Sequence, residues 1–292
     1  MKIEIIAEIA QGFEGDPVKS SLLLKSAANA GADAAKFQMV YADELATEDY
    51  KFHSLFQTLE MDDQVWKDLF QQSIDLGIEL QVDIFGLTSL EKSVDLGIKT
   101  VKIHPTDVSN VSLLTNLAES SIRKVLLGVG GAHSSEIEQA LAQLVNKQVV
   151  LLLGFQGYPT ETQANQLARI PLFAKKYCHG SSVTIGFADH ALPESTLRYA
   201  LSSVAIGAGA TGSGTTTVDS PIIFAQVAGP TIPSAVKPCA ACQAFTAASV
   251  FGPKFVTAGS IPSFCCINLT FSLLSPFLSI IIFEFNMFYL LI

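Results

Sequence analysis

The stretch that decides the fold is Val125–Leu153, VLLGVGGAHSSEIEQALAQLVNKQVVLLL. An apolar run, Val125–Val129, ends at glycines. Polar Ser134 and Ser135 then open a segment, Ser135–Val145, with apolar residues at helical spacing, and a second apolar run, Val149–Leu153, follows. Apolar runs without alternation are strands buried on both faces, as in a parallel sheet covered by helices. The spacing therefore predicts one strand–helix–strand unit, with Ser134 or Ser135 as helix N-cap.

The same unit recurs outward in both directions. Further strands are predicted at Ile3–Glu8, Ala32–Phe37, Ile78–Val82, Thr100–Ile103 and Val183–Phe187. Helical spacing falls at Lys19–Ala30, Asp63–Leu76, Ser89–Leu96, Thr162–Lys175 and Pro193–Ile206, with Gly31, Gly77, Gly97 and Gly207 just past the ends as C′ residues. This array predicts an α/β protein of the (β/α)8 TIM-barrel class, incomplete at its eighth unit. An open doubly wound sheet is the alternative. The eighth strand is expected near Thr215–Asp219.

Composition sets the limits. The 292 residues are 49% apolar and 15% charged, so the chain can bury a large core. A net charge of −9 argues against a general partner among nucleic acids or anionic membranes, so any anionic ligand must be met by a few local cations. The amino end has no secretory pattern, which gives a cytoplasmic expectation. After Val204 only Asp219, Lys237, Lys254 and Glu284 are charged. Residues 1–220 thus read as the barrel and 221–292 as a low-charge apolar tail. From Ile267 onward this tail is long enough to span a bilayer, yet Glu284 and Pro276 interrupt it and no Lys/Arg cluster flanks it. It reads as out-of-frame or intron-derived translation, with a membrane anchor as the alternative. Cys239 and Cys242 have the spacing of half a zinc site, but neither a following His nor a second correctly spaced pair completes it.

In a barrel of this class the chemistry lies at the carboxyl ends of the strands. Those positions carry Glu8; Lys36 and Gln38; Asp83; Lys102, His104, Asp107 and Asn110; Gly128–Gly131; Gln156, Tyr158 and Thr160; and Asp189 with His190. Lys36 and Lys102 are suited to a phosphorylated, carboxylated ligand; the alternative is that each pairs with Glu8 or Asp83. Gly128–Gly131 offers bare amides to a phosphate, or else a tight turn with positive φ. His190 can ligate a metal or shuttle a proton with Asp189 as orienter, or the two form an ordinary hydrogen-bonded pair.

These motifs, in this order, resemble the sialic-acid synthase family. The resemblance runs from about Ile3 to Gly209 through Ala7–Gln11, Gly15-Asp16, Ala30–Asp33, Lys36–Gln38, Lys102–His104, Gly128–Ala132, Gly154–Gln156, Tyr158–Thr160 and Gly186–His190. It implies condensation of phosphoenolpyruvate with a 2-acetamido sugar in its open-chain aldehyde form, releasing phosphate. It also implies a divalent metal, Mn²⁺ or Mg²⁺. On that resemblance Lys36 and Lys102 bind phosphoenolpyruvate beside Gln38, Gln156 and Tyr158 line the sugar pocket, Glu8 and Asp189 are catalytic, and His190 ligates the metal. A degenerate barrel that binds a phosphorylated or sugar ligand without catalysis is the alternative, and a homodimer is left open. The departures are Phe13 in place of His in the first loop, Pro105 in place of Ser, and Gly128–Gly130 in place of Ser-Thr-Gly. At Ser213–Thr217 the family has Glu-Lys-His, so its second histidine metal ligand is not found here.

Overall fold

The computed structural model describes residues 3–155, 157, 159–178, 182–191, 198–210 and 222–225, the last four and Arg198 and Tyr199 as backbone only. Its elements run β1 (Glu4–Ala10), α1 (Pro17–Asn29), β2 (Ala34–Gln38), α2 (Ala42–Leu45), α3 (His53–Leu59), α4 (Asp63–Leu76), β3 (Glu79–Ile84), α5 (Leu87–Leu96) and β4 (Thr100–Ile103). There follow α6 (Val111–Glu119), β5 (Lys124–Gly128), α7 (Ser134–Gln143), β6 (Gln148–Leu153), α8 (Arg169–Tyr177), β7 (Val183–Ala188), α9 (Arg198–Gly207) and β8 (Ile222–Ala225). All pairings are parallel and consecutive from β1 to β7, and the backbone of β8 lies beside both β7 and β1, giving the strand order of a closed ring. The architecture is therefore parallel α/β of the TIM-barrel class, not a doubly wound open sheet.

Strand parity sorts the side chains. Outward residues such as Ala7, Phe37, Val82, Val101, Leu127, Leu151 and Ile185 are buried under the helices in one large core. Inside the ring, Ile6, Ala34, Leu126, Val150 and Leu152 form a separate apolar cluster. One step toward the carboxyl ends, the inward positions are Glu8, Lys36, Asp83 and Lys102, aligned by the registers Glu8↔Lys36 and Asp83↔Lys102. One step the other way, Glu4 pairs with Lys124, and the Gln81 amide donates to Glu4 and Glu79, each at 3.1 Å. The barrel thus holds two polar layers with an apolar layer between them.

Three expectations need correction. The eighth strand lies at Ile222–Ala225, beyond Thr215–Asp219. A strand with neighbours on both sides needs its amides and favours bulky β-formers, and Ile222-Ile-Phe224 supplies them where the earlier stretch leads into Pro221. The helix expected over Thr162–Lys175 is a short 3-10 turn, Thr162–Asn165, followed by α8. Gln166 takes a positive φ of 47°, and starting α8 at Arg169 keeps Pro171 in its first turn, where the missing N–H costs little. The N-cap of α7 is His133, not Ser134 or Ser135; the Glu136 carboxylate reaches back to accept the His133 N–H at 2.7 Å.

A longer excursion separates β2 from α4. It carries α2 and α3 and packs Val40, Ala42, Phe56 and Leu59 into a small cluster of its own. Glu44 ties it to the barrel by accepting the Thr88 N–H at 2.6 Å and the Ser89 N–H at 3.2 Å, at the start of α5. Among the described residues no helix is long and apolar enough to cross a membrane. The apolar stretch from Ile267 onward and the four cysteines of the tail lie outside the described residues.

Candidate active site

The buried Glu8, Lys36 and Asp83 and the half-buried Lys102 form the floor of the barrel mouth. The Lys36 ammonium, fully buried, contacts Glu8 Oε2 at 2.5 Å and Asp83 Oδ1. The other Asp83 oxygen, Oδ2, accepts from Lys102 Nζ at 2.8 Å. Asp83 therefore joins the two lysines, one on each oxygen, and is itself fully buried. Burial pushes the Asp83 carboxyl up, but Lys102 and Lys36 together outweigh it and hold it below the usual carboxylate range. For Glu8 burial wins: its carboxyl is pushed up in spite of Lys36.

Local backbone geometry aims Glu8. The β1–β2 register slips between Glu8 and Ala10, and Ala10 takes a left-handed φ of 50°. Glu8 Oε1 accepts the Ala10 N–H at 3.2 Å. A bulge of this kind at a barrel rim re-aims the side chain beside it.

Above this floor lies a small cavity lined by Glu8, Lys102, His104, Asp189 and His190. Gly128, Gly130 and Gly154 supply bare backbone to its wall, and Pro105, Leu152 and Ala188 supply apolar surface. The tight-turn reading of the glycines is the one the backbone shows. Gly131 takes φ 79° in a turn closed by Ala132 N–H to Val129 O at 3.2 Å, while Gly128 and Gly130 face the cavity.

The two histidines are neutral near pH 7. Burial first, then Lys102, pushes His104 down to about 4. Burial likewise brings His190 down to about 4, with Lys102 and Lys36 adding to it against a hydrogen bond to the Phe155 carbonyl. That bond, from Nδ1 at 2.8 Å, fixes the tautomer and puts the ring lone pair on Nε2. Asp189 Oδ1 accepts the Ala191 N–H at 2.8 Å.

The structure thus brings Glu8, Lys102, Asp189 and His190 to one cavity, with Lys36 beneath it. Gln38 is buried at the end of β2, its Oε1 without a hydrogen-bond partner. Gln156 and Tyr158 lie outside the described residues. Asp107 and Asn110 have local work: Asn110 donates to Asp107 at 3.1 Å and accepts the Leu113 N–H at the start of α6. Thr160 is buried, its N–H donating to the His190 carbonyl at 2.6 Å. Phe13, fully buried, stacks against Phe37 and Trp66 with ring centroids 5.9 and 6.3 Å away, so its loop sends an aromatic ring into the core rather than a donor into the mouth. The pairing of each lysine with Glu8 or Asp83, the alternative read from the sequence, is what the structure shows; that Asp83 serves both lysines at once goes beyond it. The signal was a carboxylate two residues after Gln81 on a buried parallel strand, in phase with inward positions.

A divalent metal needs several converging hard or imidazole donors. Among the described residues no group of three or more His, Cys, Asp or Glu side chains forms such a set. Glu8 and Asp83 are engaged by lysines. The described residues do not fit a complete divalent site, and Ser213–Thr217 lies outside them.

Comparison with known proteins agrees with this architecture. The chain is 26% identical over 227 residues to N,N'-diacetyllegionaminic acid synthase of Legionella pneumophila, covering 70% of this chain and 61% of that one. It is 29% identical over 204 residues to the spore coat polysaccharide biosynthesis protein SpsE of Bacillus subtilis, covering 64% and 52%. The chain thus spans between half and two thirds of the length of these relatives. Among solved structures, the N-acetylneuraminic acid synthetase of Leptospira borgpetersenii in complex with citrate superposes with a TM-score of 0.67 at 25% identity, covering 78% of this chain and 73% of that one. The NeuB family model matches residues 23–211, well over half of the sequence, and the chain belongs to the NeuB family.

Proposed function

We propose that the barrel mouth condenses phosphoenolpyruvate with a 2-acetamido sugar of the N-acetylmannosamine kind, forming a nonulosonic acid and releasing phosphate. The observation that carries this reading is the pair Lys36 and Lys102 at the floor of a concave site roofed by glycine backbone. Charge-assisted bonds from Lys102, with Lys36 beneath it, hold the carboxylate and phosphate, and the amides near Gly128 and Gly130 add donors. Gln38 lies at the end of the neighbouring strand with an acceptor to offer. C3 of the enol attacks the sugar aldehyde, water adds to C2, and phosphate leaves by C–O cleavage. Glu8, whose buried carboxyl keeps its proton more readily than an exposed one, protonates the aldehyde oxygen as it becomes a hydroxyl. Asp189 and His190, which line the same cavity, serve the attacking water, and Gln156 and Tyr158 are assigned to the sugar on family resemblance alone. No step is routed through a metal, because the described donors do not make up a site for one.

The same reading extends to a full (β/α)8 barrel and to a cytoplasmic enzyme. The names of the relatives support it: two are synthases of acidic sugars. Incubating the full chain with phosphoenolpyruvate and a panel of acetamido sugars, with phosphate release and carbon-13 NMR as readouts, tests it. Stoichiometric phosphate and a C–C bonded product are expected; neither product nor phosphate from any sugar overturns it. A second reading, a barrel that binds such a ligand without catalysis, is favoured by the core-packed Phe13 and by Pro105 in the cavity wall, whose described lining residues include none with a hydroxyl. Saturable binding without turnover distinguishes it.

A further inference from the structure

We infer that Asp83 is a specificity-determining residue of the anion pocket: it neutralises both lysines at once and so lowers the pocket's affinity for multiply charged ligands. This rests on the reading of the mouth as an anion site. Its support is geometric. Asp83 spends one carboxylate oxygen on Lys36 and the other on Lys102, with no exposed surface of its own. Glu8 adds a second carboxylate at 2.5 Å from Lys36. With both acids ionised the four side chains sum to zero, and with Glu8 protonated a single positive charge remains.

Phosphoenolpyruvate brings a carboxylate and a phosphate, together about three negative charges near neutral pH. A ligand of that charge entering over Lys102 meets the Asp83 carboxylate just behind the ammonium. At such range, in a site screened from water, one like charge weighs heavily against it. Asp83 thus offsets part of the lysine charge that holds phosphoenolpyruvate and favours ligands of lower charge. A purely structural acid would have the opposite signature, since removing it would loosen the lysines and weaken binding.

The test compares the full-length wild type with Asp83→Asn, titrating inorganic phosphate, phosphoenolpyruvate and pyruvate, with folding checked by circular dichroism and thermal melting. Asp83→Asn is expected to bind phosphate and phosphoenolpyruvate about tenfold or more tightly than the wild type, the gain shrinking with salt and absent for pyruvate. Equal or weaker binding by the folded variant overturns the inference. Asp83→Ser, smaller and equally uncharged, serves where the amide disturbs folding. The wild type gives a measurement free of that concern: phosphoenolpyruvate should bind within about tenfold of pyruvate, and a hundredfold or larger preference overturns the inference. Product formation by the wild type without tighter binding by the variants retains the condensation reading and rejects this one. Tighter binding by the variants with no product from the wild type does the reverse, and no anion binding by any form rejects the inference.

Discussion

Gly128 and Pro105 meet so closely in the cavity wall that a methyl group added to Gly128 would stand 2.5 Å from Pro105 Cδ. Two neighbouring units, one from β4 and one from β5, are thereby fitted to each other at the mouth. Gly128→Ala must push Pro105 away or tilt the end of β5. It is expected to destabilise the fold by about 1–3 kcal/mol, as overpacking does, and to weaken ligand binding at the same time. Urea unfolding and ligand titration on one preparation check both; an unchanged midpoint would show that the wall has slack.

Lys36 and Lys102 should part company under substitution. Lys36→Met strands Glu8 in a buried site, leaves Asp83 with Lys102 alone, and is expected to cost about 3–5 kcal/mol. Lys102→Met leaves Asp83 its bond from Lys36, so the fold loses less, while anion binding falls well over tenfold. Comparing melting temperatures with phosphate affinity separates the two roles.

The pH dependence follows from the histidines. His104 and His190 are held near 4 in the fold against an ordinary value near 6.5, so the unfolded chain takes up protons first on acidification. Their contribution to stability is complete above about pH 6.5 and is lost as pH falls from there toward 4. The slope of unfolding free energy against pH should be positive across that window. His104→Gln with His190→Gln should flatten it, and imidazole NMR titrations of the wild type should show neither ring charging above pH 5.

Glu44 closes the N-terminus of α5 from outside the barrel. Removing an N-terminal cap that also opposes the helix dipole costs about 1–2 kcal/mol. Glu44→Ala is expected to show that loss in thermal melting and to raise amide exchange at Thr88 and Ser89, with β-strand exchange unaffected.

Much of this molecule is legible in its sequence, and the parts that are not have physical reasons. The strand at Thr100–Ile103 and the helix at Asp63–Leu76 stand where periodicity puts them. Apolar spacing and a terminal glycine are local signals, and Gly77 caps the helix with φ 67°. The rim position of Glu8, Lys36, Lys102 and His190 follows equally from strand ends. Partnership does not: whether Lys36 faces ligand or Asp83 depends on register between β2, β3 and β4, which no single strand encodes. The α7 cap was misplaced because His133 borrows its acceptor from Glu136 three residues on. The β8 position was obscured because its pairing is entirely nonlocal. Phe13 could be read as a departure from a family pattern, but only its packing on Trp66 reveals that the loop has traded polarity for core.

The apolar layer of Ile6, Ala34, Leu126, Val150 and Leu152 has a consequence for how such a protein can change over time. It separates by apolar packing the charged mouth from the Glu4, Gln81 and Lys124 network at the other end. The two networks make their contacts with different side chains, so stability can drift at the base while chemistry is retuned at the mouth. A chain built this way can lose or regain a reaction by a handful of rim substitutions without renegotiating its foundation.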